Sequence, residues 1–277
     1  MTGVAIDAYP GRASIPYEDA SPDGTVGLLA LATDATIEDT LRSLLPPGVG
    51  LCTTRLANTD PITAASLRAT EDRITDAARA LLPDGRLDAL VYGCTAGAAA
   101  IGHPEVVRLL RAAHPAAQCL TPVSAAAAAM RHLGIRRPSV LTPNVRELNE
   151  AMAGHFGAAG FQVSNVVGLE IAQDAHIARV PPRTLVEAAR HACAPQADGL
   201  LICCTSLRVT PVIDQIEALV GRPVVTSNQA VLWDLARRLG FSAGRTGLGR
   251  LLNPAPAHPA PPEPRTTMPA THPKGPR

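Results

Sequence analysis

Short apolar runs alternate along this chain with longer stretches in which apolar residues return every three or four positions. The short runs are VGLLALA (26–32), VGLCTT (49–54), DALVYGCT (88–95), QCLTPV (118–123), SVLTP (139–143), FQVSNVVGL (161–169), DGLLICCT (198–205) and PVVTS (223–227). They are rich in Val, Leu and Ile and bounded by Gly, Pro, Asn or Asp, which predicts strands buried on both faces. Between them TIEDTLRSLL, SLRATEDRITDAARALL, VRELNEAMAGHFGAAG, TLVEAARHAC, PVIDQIEALVG and QAVLWDLARRLG carry the helical period. The Ala run at 125–129 is helix-forming as well. Strand and helix in alternation predict parallel sheets joined by right-handed crossovers, the α/β class.

An internal repeat sharpens this pattern. A shift of 110 positions lays DALVYGCT (88–95) on DGLLICCT (198–205), LLALATD (28–34) on PSVLTPN (138–144), and Gly50 on Gly160. The same shift carries Asp34 onto Asn144 and Cys94 onto Cys204. A further element, 120–134, resembles 224–240, with closing glycines 106 apart. The pattern predicts two pseudosymmetric Rossmann-like halves, each a four-stranded parallel sheet flanked by helices, with the active site in the cleft between them. The expected division is an irregular N-terminal extension (1–25), a first half (26–117), a second half (118–252) and a tail (253–277). The tail holds nine prolines and almost no large apolar side chains, the composition of a disordered segment.

Composition narrows the chemistry. Hydrophobic residues make up 46% of the 277 and aromatics 3%, so the core is built from Ala, Val, Leu and Ile. A net charge of +1 gives no electrostatic footprint for nucleic acid or an anionic membrane. The sequence shows neither a secretory leader nor a membrane-spanning run, which predicts a cytoplasmic protein. Of 25 basic residues one is lysine, Lys274, so Schiff-base chemistry and a Walker-type phosphate loop are effectively excluded. The six cysteines contain no C-x-x-C and read as thiols; the eight histidines form no metal motif. Glycines at 93, 97 and 102 follow the wrong strand for a dinucleotide fingerprint.

In open parallel sheets, ligands bind where strands end at their carboxyl edge. Cys94-Thr95-Ala96 and Cys204-Thr205-Ser206 each end a predicted strand. Two halves facing one another bring both thiols over one cleft, each expected near a helix N-terminus whose amides lower its pKa. The amides of Thr95, Ala96, Thr205 and Ser206, with the two threonine hydroxyls, suit a carboxylate or a developing enolate. Opposed cysteines suit proton transfer on both faces of a carbon, or thiolate addition with protonation from the far side. Cys52, Cys119, Cys193 and Cys203 read as packing residues, Cys203 being turned to the opposite face by strand alternation. Arg55, Arg208 and His176 are weaker candidates for carboxylate binding or an extra base, and Trp233 reads as packing.

These residues carry a family resemblance. GCTAGAAAIG (93–102) resembles the GCTSGS-x-x-IG segment of the aspartate/glutamate racemase superfamily, and more narrowly its maleate cis–trans isomerase and arylmalonate decarboxylase branch. CCTSLR (203–208) and GRPVVTSNQAVLWDLARRLG (221–240) resemble that branch's second cysteine motif and its continuation. LATDATIED (31–39) and TTR (53–55) most resemble ectoine-utilisation EutA-type proteins. The resemblance implies a cofactor-independent isomerase or racemase acting through Cys94 and Cys204. Its implied partner is a small-molecule carboxylate, with a homo-oligomer compatible and neither nucleic acid nor membrane involved. An arylmalonate-type decarboxylase and a non-catalytic small-molecule-binding descendant are the alternatives. Three positions depart from the branch. Asn144 stands where a tyrosine is usual, Ala96 where a serine is usual, and Asp34 where asparagine is frequent. Unless protonated or turned away, Asp34 is expected to repel a dicarboxylate and to suit a substrate with an amine or other cation.

Overall fold

The computed structural model describes residues 6–83 and 85–253. The proline-rich tail expected at 253–277 therefore lies, apart from Asn253, outside the described residues. Eight strands form two four-stranded parallel sheets. The first has the order β2-β1-β3-β4, from β1 (Thr25–Leu31), β2 (Gly50–Leu56), β3 (Ala89–Gly93) and β4 (Gln118–Leu120). The second repeats it as β6-β5-β7-β8, from β5 (Pro138–Thr142), β6 (Asn165–Gly168), β7 (Gly199–Ile202) and β8 (Val224–Thr226). β1, β3, β5 and β7 are buried almost throughout, as their continuous apolar runs require.

Several boundaries differ from those the sequence suggests, each for a local reason. The run 118–123 stops being strand at Leu120. Thr121 caps the helix Pro122–His132 in a reciprocal box with Ser124, and Pro122 pre-sets its first turn. β4 pairs with β3, so the first sheet reaches past the division expected at 117/118. The stretch 66–82 is two helices, Ala64–Arg68 and Glu71–Arg79, separated where the Thr70 hydroxyl donates to the Leu67 carbonyl at 2.7 Å. Only Asn165–Gly168 of the run 161–169 is strand. The repeat register slips as well. Val26 faces Ala89 in the first sheet and Pro138 faces Gly199 in the second, so β1 and β5 differ by 112 positions where β3 and β7 differ by 110.

The two halves are packed into one another. One core cluster runs from Leu28, Leu90 and Tyr92 through Met152 and Phe156 to Leu201, Val225 and Leu235, and a second, within the second half, gathers Leu141, Leu185, Leu200, Ile202 and Val224. The helix Ser227–Leu239, which follows β8, packs on Pro122–His132 and on Ile37–Leu44 of the first half. Thr95–Ile101 of the first half packs on Arg146–Ala158 of the second. Ile37, Leu41 and Leu44 form the buried stripe of their helix, with Glu38 and Asp39 at its positive end. This interlocking fixes the facing edges of the two sheets, where β1, β3, β5 and β7 end. Among the described residues, no helix is long and apolar enough to cross a membrane.

Candidate active site

One cavity lies between those edges. It is lined by Leu31, Asp34, Ile62, Gly93, Cys94, Thr95, Ala96, Asn144, Asp174, Ile177, Cys204, Thr205 and Ser206. All eight site residues expected from the sequence are among them: Cys94, Cys204, Asp34, Thr95, Ala96, Asn144, Thr205 and Ser206. Its free volume is about 20 Å³, room for one water molecule. The described conformation is thus closed. Segments of the two halves meet beside it: the Ile62 amide donates to the Ala172 carbonyl at 2.8 Å, and the Asp174 amide to the Asp60 carboxylate at 3.2 Å.

The two cysteines reach the cavity differently. Cys94 caps the helix Thr95–Ile101 in extended backbone, and its sulfur accepts the Gly97 amide at 3.2 Å. Gly97 is required there, since a Cβ would sit 2.4 Å from the Tyr92 hydroxyl and 3.2 Å from the Cys94 sulfur. Cys204 has a φ of +106°, a region costly for a residue with a side chain. Its amide donates to Ser227 Oγ at 3.1 Å. No α-helix begins at Thr205: a turn leads to the short 3-10 helix Thr210–Val212. The helix N-terminus expected behind both thiols therefore stands behind Cys94 alone.

The expected lowering of the thiol pKa values is also reversed. Burial pushes the Cys94 thiol up to about 12, against the opposing Gly97 amide, and the carboxylates of Asp174 and Asp34 add to the rise. Burial raises Cys204 well above the ordinary thiol value, with the same two carboxylates contributing. Burial is the main cause, and the lining adds two carboxylates with no Arg, Lys or His among the described residues to oppose them. Both sulfurs thus hold their protons more tightly than an ordinary thiol does.

The threonine hydroxyls do not face an open site either. Thr95 Oγ1 is 2.9 Å from Ser227 Oγ, which in turn accepts the Cys204 amide. Thr205 Oγ1 lies 2.9 Å from Asp34 Oδ2 and 3.1 Å from the Gly93 carbonyl. Each threonine thus crosses to the opposite half and ties the two cysteine loops together. Asp34 is similarly occupied. Its Oδ1 accepts the amides of Thr36 and Ile37 at 2.8 and 3.0 Å, and its Oδ2 is within reach of Thr205. The carboxylate is turned to a helix start and to the seam, so it is not free to serve as a substrate's counter-ion. Asn144 is anchored through its backbone: its amide donates to Thr142 Oγ1 at 3.1 Å and its carbonyl accepts from Asn149 at 3.0 Å. Among the described residues its side chain has no hydrogen-bond partner.

Five lining residues escaped sequence reasoning, Leu31, Ile62, Gly93, Asp174 and Ile177, and Asp174 is the titratable one. It opens the short helix Asp174–Ile177, in a loop without a counterpart in the repeat. Asp174 and Ile177, three apart, are buried, while His176 between them is exposed and lies outside the lining. That spacing was the available signal. Burial raises the Asp174 carboxyl above the usual range, offset by hydroxyls of Thr33 (2.7 Å) and Ser206. Arg55 pairs with Glu38 and donates to the Asp34 carbonyl at 2.7 Å, and Arg208 reaches only the Val180 carbonyl at 3.5 Å; neither lines the cavity. Trp233 packs against His132 and under Arg237. Cys119 and Cys203 are buried and Cys52 and Cys193 half-buried, all four away from the lining.

Comparison with known proteins places this geometry in a family. The family model described as arylmalonate decarboxylase matches residues 44–252. The arylmalonate decarboxylase of Bordetella bronchiseptica is 33% identical over 138 residues, which span 49% of this chain and 58% of that protein. A maleate isomerase of Nocardia farcinica is 26% identical over 241 residues, 82% of this chain and 94% of that protein. A solved structure of the Nocardia farcinica maleate cis–trans isomerase, a cysteine-to-serine mutant with a covalently bound succinylcysteine intermediate, superposes with a TM-score of 0.77 at 23% identity. It covers 83% of this chain and 98% of the other, a likeness of fold.

Proposed function

The chain belongs to the arylmalonate decarboxylase family, and from that premise we propose that it is a cofactor-independent isomerase or racemase of a small carboxylic or amino acid. The observation that carries this reading is the pair of thiols, Cys94 from one half and Cys204 from the other, lining a single cavity at equivalent strand ends. The succinylcysteine reported for the Nocardia relative supports a cysteine as nucleophile in this family. The segments LATDATIED and TTR favour the EutA-type branch within it, and a cytoplasmic location accords with this reading.

Either course begins when one of the two thiols gives up its proton to solvent as the cavity opens for substrate. In a racemisation that thiolate takes the proton from the carbon next to the carboxylate, and the electron pair moves into the enolate. The opposite thiol then gives its proton to the other face and is left as the thiolate. In a cis–trans isomerisation, the Cys94 thiolate bonds to one alkene carbon while the Cys204 thiol protonates its neighbour and becomes the thiolate. After rotation Cys204 takes a proton back and the carbon–sulfur bond breaks. Neither course fits inside 20 Å³, so the Ile62–Ala172 contact must open to admit substrate and close again around it.

Decarboxylation is the second reading, favoured by the 33%-identical relative. Loss of CO₂ from a malonate leaves the same enolate for a thiol to protonate. Incubation in deuterated water with alkenoic, malonic and amino acids separates these readings. Deuterium uptake with loss of optical purity identifies a racemase, a trans product an isomerase, and CO₂ release a decarboxylase. Binding without any exchange or conversion would overturn the catalytic proposal in favour of a non-catalytic descendant.

A further inference from the structure

The charge inventory of the cavity is one-sided. Its lining holds two carboxylates, Asp34 and Asp174, and among the described residues no cationic side chain. Asp34 is already satisfied by the amides of Thr36 and Ile37 and by the Thr205 hydroxyl. Among the described residues Asp174 accepts the Thr33 hydroxyl at 2.7 Å and faces that of Ser206, and its own backbone is anchored on Asp60, so about two of roughly four acceptor positions of an ionised carboxylate are taken. A buried carboxylate without a positive partner is costly unless a ligand supplies one.

We propose that Asp174 sets the substrate class: it is the counter-ion for a positively charged nitrogen on the substrate. The cleft then takes a zwitterionic acid, with one carboxylate and one ammonium group, and disfavours dicarboxylates. The proposal rests on the reading of this cavity as the substrate site. Two further observations agree with it. A second substrate carboxylate finds no arginine, lysine or histidine in the lining, and meets Asp174 as a like charge. A substrate cation, in contrast, supplies a positive charge that the described lining lacks, beside thiols whose ionisation the two carboxylates oppose. Asp174 lies on the segment that meets the first half beside the cavity, so neutralising it also favours the closed state.

Three ligands of one chain length class test this by NMR titration of the full-length protein at neutral pH: β-alanine, succinate and propionate. The wild type should bind β-alanine at least about tenfold more tightly than either of the others. Asp174→Asn should lower β-alanine affinity to the level of propionate and improve that of succinate. Asp174→Ser, which still offers an oxygen to Thr33, serves the same purpose should the asparagine variant fail to fold. A wild type that prefers succinate, or that binds none of the three, overturns the proposal, as does an unchanged β-alanine to succinate ratio in the variants. Binding is read without turnover. An inert protein with an Asp174-dependent preference therefore contradicts only the catalytic reading, and cysteine-dependent exchange without that preference contradicts only this one.

Discussion

The loops that carry Cys94 and Cys204 occupy equivalent places in two sheets of identical strand order, yet each holds its sulfur by different means. Cys94 sits in relaxed extended backbone as a helix cap, and a glycine beneath it gives its sulfur an amide. Cys204 sits at φ +106°, held through its amide by Ser227, a residue of the helix after the next strand. The repeat has kept where the sulfur is delivered and let the supporting backbone diverge. The lesson is that a duplicated motif predicts position better than environment. The threonines show the same economy of position: each follows its cysteine and each reaches the opposite half, one through Ser227 and the other through Asp34 and the Gly93 carbonyl.

This comparison is easiest to break with the largest effect. Cys94→Ala and Cys204→Ala should each lower turnover about 10³-fold, within the range for loss of a general acid or base. A loss confined to one of them, measured by steady-state kinetics on the substrate found, would reduce the pair to a single working thiol. Next in size is Gly97→Ala, whose Cβ would strike the Tyr92 hydroxyl. It should cost about 1–3 kcal/mol in urea unfolding, with partial recovery when Tyr92→Phe is added. No such penalty is expected at the structurally different Cys204 loop. There the sign turns. Cys204→Gly relieves the positive φ and should stabilise the fold by about 1 kcal/mol. Cys94→Gly, losing a helix cap without relieving strain, should destabilise it.

The smallest effect concerns pH. Both thiols have folded pKa values above the ordinary thiol value, so the folded state holds these protons more tightly than the unfolded chain. Their contribution to stability is complete below about pH 9 and declines as pH rises through the folded values. Unfolding free energies measured from pH 8 to 11 should therefore fall less in the double alanine variant than in the wild type.

Much of this molecule was legible in the sequence. The apolar runs placed all eight strands, and the repeat announced two sheets of like topology, because periodicity and strand-end residues are local properties. The eight expected lining residues could be named for the same reason. What escaped depended on contacts between distant segments. The strain at Cys204 belongs to a loop pulled toward Ser227, and the raised pKa of both thiols belongs to their burial beside Asp174 and Asp34. Asp34 looked like a substrate contact until its acceptors were found filled by Thr36, Ile37 and Thr205. Asp174 stood in a loop that the repeat does not match, where His176 drew attention by type although its neighbour's spacing to Ile177 marked the inward face.

The central claim is that two thiols, one from each half, act together on one bound substrate. Deuterium wash-in at the carbon next to the carboxylate tests it most directly, with the wild type, each single alanine variant and the double variant compared by mass spectrometry. The account predicts uptake of one deuterium by the wild type and none by the variant lacking both Cys94 and Cys204. Undiminished uptake by that double variant would contradict it.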